Sequence, residues 1–111
     1  MNVDWLDKIK LPRRIKFLIQ RICRGWDDSD LWSLDHSITK YVLPRLKRFK
    51  KVNIGHPGNL TPEQWDAILD EMIWFFELNL APWDLFLNEE DQKRYDKAGK
   101  YFMEYFNSLW D

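Results

Sequence analysis

The chain has 111 residues, of which 45% are apolar, 32% charged and 16% aromatic, and its formal net charge is −1. So many aromatics at so little net charge exclude a disordered tail. The near-neutral balance does not point to a nucleic-acid binder, and no apolar run approaches the ~18 residues of a membrane span. The single cysteine, Cys23, excludes an internal disulfide and a cysteine-rich zinc site. The length suits one domain spanning 1–111. The opening Met-Asn-Val-Asp-Trp lacks a basic-then-apolar leader, so a cytoplasmic protein is expected.

Residues 3–9 suit a lead-in turn with Trp5 and Ile9 on one side. Pro12 suits the first turn of a helix, where its missing N–H costs nothing. Ile15, Leu18, Ile19 and Ile22 follow at helical spacing, and Gly25 stands where a helix end takes a left-handed residue. Residues 25–30 form a polar elbow, with Asp28 or Ser29 as N-cap of a central helix reaching about Lys50. Leu31, Leu34, Ile38, Tyr41, Val42, Leu46 and Phe49 give that helix an arc broad enough to pack on two sides. Pro44 lies inside it and is expected to kink it. Residues 51–60 read as a loop broken by Gly55, Pro57 and Gly58.

Thr61-Pro62-Glu63-Gln64 is a capping box with proline at the first helical position. Trp65, Ile68, Leu69, Met72, Ile73, Phe76 and Leu80 form the buried face of this third helix, and Pro82 ends it. Trp74 and Leu78 lie opposite that face and could form an exposed patch. Residues 83–87 are an apolar connector. Asn88, ahead of Glu89, Glu90 and Asp91, opens the last helix with acids where the dipole favours them. Tyr95, Ala98, Phe102, Tyr105, Phe106 and Leu109 give its face. The expected fold is all-α: a compact bundle of four to five helices with a kinked central helix.

Charge is segregated along the chain. Residues 1–51 hold 13 Lys and Arg against 6 Asp and Glu; residues 52–92 hold 9 acids and no base; the last 19 residues hold 4 bases against 3 acids. One reading places basic helices beside an acidic one within the bundle. The other brings opposite charges together between subunits, or the basic face against an anionic ligand, so a homo-oligomer is expected. A long nucleic acid is disfavoured, because the acidic segment would repel an extended polyanion; a small anion touches only one patch.

At about 100° per residue, Asp35 and Arg45 project into the apolar arc of the central helix. They stand ten positions apart, roughly 15 Å along a helix, so each needs another partner; Arg24 or loop amides could meet Asp35. Either both are satisfied by neighbouring elements, or both face an interior pocket. Polar groups converging among aromatics are what small-ligand sites offer. His36 and His56 lack metal-ligand spacing with the nearby aspartates, so neither a metal nor another cofactor is expected. Cys23 has no catalytic partner pattern, no serine or threonine has an obvious base, and no catalytic residue is assigned. The acids at Glu63, Asp66, Asp70 and Glu71 bring to mind a metal-dependent phosphohydrolase, but they alternate with a regular core face.

Three stretches carry a resemblance: Arg24-Gly25-Trp26-Asp27-Asp28-Ser29-Asp30-Leu31-Trp32-Ser33-Leu34-Asp35, then Leu43-Pro44-Arg45-Leu46-Lys47-Arg48-Phe49, then Gly55-His56-Pro57. With Leu60-Thr61 through Glu77, the pattern resembles a family of small, mostly uncharacterised proteins encoded by phages and prophages, over about residues 24–77. The resemblance implies action inside a bacterial host and binding rather than catalysis. The expected function is a non-enzymatic counter-defence protein that sequesters a small anionic, nucleotide-type signal. Arg24, Arg45 and Arg48 would hold the anionic group, Trp26 or Trp32 would stack on a base, and Asp35 would meet a base edge or ribose. Asp27, Asp30 and His56 complete the candidate set. The alternative partner is a host or defence protein, which the chain would inhibit; no membrane partner is expected.

Overall fold

A computed structural model describes residues 2–82 and 85–110, so Trp83 and Asp84 of the expected connector lie outside the described residues. The fold is all-α. Its helices are α1 (Arg13–Arg24), α2 (Leu34–Val52), α3 (Pro62–Asn79) and α4 (Glu89–Glu104), with short 3-10 segments at Asp4–Lys8, Asp28–Leu31 and Phe106–Ser108. No strand occurs among the described residues. Contacts gather the chain into two units, residues 1–37 and 38–111, with the boundary in the first turn of α2.

In the first unit, Pro12 stands just ahead of α1 and its carbonyl accepts from the amides of Ile15 and Lys16. Gly25 closes α1 at φ 87°, the left-handed conformation that a Cβ would strain. The cap of the next turn is neither Asp28 nor Ser29 but Asp27, whose carboxylate accepts from the Ser29 backbone N–H at 2.9 Å. That cap serves a separate 3-10 turn, and α2 starts later than expected, at Leu34. The delayed start explains the largest correction. Asp35 falls in the first turn of α2, where the helix dipole favours an acid, and it is exposed. It shares the azimuth of the buried stripe, but burial begins one turn later, at Thr39, Leu43 and Leu46.

That stripe is narrower than the arc read from sequence, since Leu34, Ile38 and Tyr41 are exposed. The helix runs through Pro44 without interruption, so the missing backbone bond does not end it.

The second unit holds the aromatic core. Leu43 and Leu46 of α2 join Trp65, Leu69, Met72, Ile73 and Phe76 of α3, with Phe102 and Tyr105 packed against them from the α4 side. Burying each such side chain stabilises the fold by roughly 1.5–3 kcal/mol. Edge-to-face pairs Phe75–Phe76, Phe76–Phe102 and Phe102–Phe106 run through it at 4.9–5.7 Å between centroids. Helix α3 starts at a complete capping box: Thr61 Oγ1 accepts from the Gln64 N–H, and Gln64 Oε1 accepts from the Thr61 N–H. Asn88 caps α4 by accepting from the Asp91 N–H. Gly99 brings α4 close to α3; a Cβ there would stand 2.9 Å from the Phe75 ring.

Candidate functional site

The first unit contains six of the candidate residues, and several are tied to neighbours outside the candidate set. Gln20, 2% exposed, is the hub: its Nε2 donates to Asp28 Oδ2 and its Oε1 accepts from the Asp28 N–H, both at 2.9 Å. Arg24 donates to Asp28 Oδ1 at 2.7 Å and to the Trp26 carbonyl, and its guanidinium carbon lies 3.7 Å from the Trp26 ring centroid. The Gln20 bond, followed by Arg24, holds the Asp28 carboxyl below its ordinary range. Asp27 is buried; it accepts from the Ser29 N–H and hydroxyl, with Arg21 Nε 3.5 Å away. The Asp30 carbonyl accepts from Ser37 Oγ. Trp32 meets Phe17 edge-on at 5.7 Å and lies below Arg13.

This is the chemistry of a braced chain reversal. Arg24 is committed to Asp28 and Trp26. Gln20 and Asp28, which organise the elbow, lie outside the candidate residues read from sequence. The available signal was Gln20 itself, a lone neutral amide on a helix otherwise apolar or basic.

The second unit contains Arg45, Arg48 and His56. Arg45 is exposed rather than buried in the arc, because its azimuth lies beside the Thr39–Leu43–Leu46 stripe. It lines an open groove of about 250 Å3 formed with Tyr41, Val42, Leu46, Phe49, Phe102, Phe106 and Leu109. Its Nη1 donates to the Tyr41 carbonyl at 2.9 Å, and its guanidinium carbon lies 3.7 Å from the Tyr41 ring centroid. No carboxylate pairs with Arg45 among the described residues. Arg48, one turn on, is exposed and falls on the Tyr41 side of α2. Lys50 is otherwise engaged: Asp70 sits 2.6 Å from its ammonium, and that bond raises its pKa.

His56 lies elsewhere in this unit. It lines a cavity of about 450 Å3 with Asn53, Gly55, Pro57, Ser108 and Trp110. Its Nδ1 lies 2.9 Å from the Pro57 carbonyl, an acceptor, so Nδ1 is the donor of that bond. Asn53 braces this loop by accepting from Trp65 Nε1 and donating to the Trp110 carbonyl. The candidate residues therefore do not form one site: Arg24, Trp26, Asp27 and Asp30 lie at or beside the elbow, Trp32 against Phe17, Asp35 in the first turn of α2, Arg45 at the groove with Arg48 one turn on, and His56 in its loop.

The expected patch at Trp74 and Leu78 is also corrected. Both are half-buried, and the Arg94 guanidinium covers Trp74 at 3.9 Å while Glu71 grips it at 2.9 and 3.0 Å. That grip raises the Arg94 pKa. Among the described residues, no group of three or more histidine, cysteine or acidic side chains is placed to hold a metal ion. No helix is long and apolar enough to cross a membrane. No family model matches the chain, and no curated protein or solved structure matches it.

Proposed function

We propose that this chain is a non-enzymatic binding protein for a small anionic ligand with a flat or apolar body, held at the Arg45 groove. The observation that carries this reading is the Arg45 guanidinium, fixed by the Tyr41 carbonyl and ring at the mouth of an aromatic-walled groove. A planar guanidinium fixed in this way keeps donors for a carboxylate or phosphate. The groove volume is below the roughly 300–1,000 Å3 of drug-sized sites. It takes a single ring system, with the anionic group outside at Arg45 and Arg48. A nucleotide fits that division: base among Phe49, Phe102 and Phe106, phosphate at the arginines. With the resemblance to phage proteins, sequestration of a nucleotide-type signal inside a bacterial host is the biological role we propose.

Calorimetry with adenosine and guanosine monophosphates, their cyclic forms and the uncharged nucleosides tests this. The expected result is micromolar binding of a nucleotide, with the matching nucleoside and the Arg45→Ala variant each weaker by about tenfold or more, which is about 1.4 kcal/mol. Absence of heat from every anion, or equal binding of nucleoside and nucleotide, overturns the reading.

A further inference from the structure

The face of α1 turned away from the elbow is apolar and open. Ile15, Leu18 and Ile22 follow one another at i, i+3 and i+7, all are exposed, and Ile22 is 74% exposed. Such a row is the anchor pattern of helix docking. Arg14 and Arg21 flank it on one side, and α1 contains five basic residues and no acid. A 37-residue unit without a disulfide is also small enough that its apolar surface normally needs covering. The complement must be apolar and acidic.

The same chain carries that complement. Leu85 and Phe86 are exposed, Phe86 at 91%, and Glu89, Glu90 and Asp91 follow within a stretch, 52–92, that has no Lys or Arg. We propose that α1 of one copy docks the Leu85–Asp91 segment of a second copy, with Phe86 seated on the Ile15–Leu18–Ile22 ridge and the carboxylates along Arg14 and Arg21. Exchange in both directions about a twofold axis closes the contact as a dimer. Pairing of two α1 helices would bring arginines together, which is repulsive. An anionic lipid surface is the poorer fit, because residues 1–37 carry six acids against seven bases.

Sedimentation velocity on the full chain, over a hundredfold range of concentration and at about 50 and about 500 mM salt, tests the proposal. The expected result is a dimer at low salt that dissociates at high salt. Ile22→Glu, Arg14→Glu and Glu90→Lys each weaken it by about tenfold or more, with helix content unchanged by circular dichroism. All three positions are exposed, so folding should survive. Mixing the Arg14→Glu chain with the Glu90→Lys chain restores association. A monomer under every condition, a dimer indifferent to all three changes, or a monomer that binds phosphatidylglycerol vesicles through Ile22 would overturn it.

Discussion

The elbow at residues 25–30 holds its shape with hydrogen bonds, whereas the core of residues 38–111 holds its shape by packing apolar side chains and rings. In the first unit, the buried side chains at the elbow are polar: Asp27, and the amide of Gln20, which satisfies both the backbone and the carboxylate of Asp28. Ile15, Leu18 and Ile22 of α1 are left open. In the second unit, seven buried side chains from α2 and α3 form one cluster, and arginines such as Arg94 lie over ring faces at its edge. The two devices respond differently to perturbation. A packed core loses stability in proportion to the volume removed. A polar brace loses it when one partner is left unsatisfied.

The sharpest test of this contrast is a pair of truncations. Leu69→Ala should cost about 2–5 kcal/mol in urea unfolding, whereas Ile22→Ala at concentrations too low for association should stay within about 0.5 kcal/mol. Equal costs would mean that the α1 ridge is covered within a single chain, and the comparison would fail. Next in size, Gln20→Ala removes both bonds to Asp28 and should cost about 1–3 kcal/mol. Trp26 fluorescence should report the loosened elbow, with Phe and Tyr substitutions at the other tryptophans isolating the signal.

Gly99→Ala should be destabilising by about 1 kcal/mol: the gain in helix propensity is outweighed by a Cβ forced against Phe75, whose ring is held by Phe76 and Tyr95. A stabilised variant would show that the α3–α4 contact is looser than described.

The smallest effect is one of pH. Asp28 has a folded-state pKa lowered by Gln20 and then Arg24. Its contribution is therefore complete above the ordinary carboxyl value of 3.8 and is lost as pH falls through the lowered one. Acid titration of Gln20→Ala against the parent chain should shift the elbow transition to higher pH. An identical transition would remove Gln20 as the cause.

Most of the helices and three of their caps are legible in the residues; the elbow cap at Asp27 and the start of α2 at Leu34 are not. Gly25, Thr61 with Gln64, and Asn88 act within one turn of where they stand, so their role follows from local stereochemistry. The apolar period of α3 placed Trp65, Leu69, Met72 and Phe76 on one face, and they are buried there. The site was legible only in part. Arg45 was identified, but as a buried charge; it is an exposed arginine at the edge of an aromatic groove. Its partner Tyr41, one turn back on the same helix, reads from sequence as a packing residue. Asp35 was placed in the core because its azimuth is right, yet α2 begins only at Leu34 and the packed part of the stripe begins at Thr39.

What the amino-acid order determined by itself was thus the fold class, the caps at Gly25, Thr61 and Asn88, and the core face of α3, since these depend on spacing and near-neighbour bonds. Tertiary structure alone decided which positions along an apolar stripe are covered and which are open. It also decided that the arginines at 24 and 45 do different things: one closes an elbow, the other borders a groove. Periodicity gives a side chain its direction, but burial depends on whether another element is there to meet it.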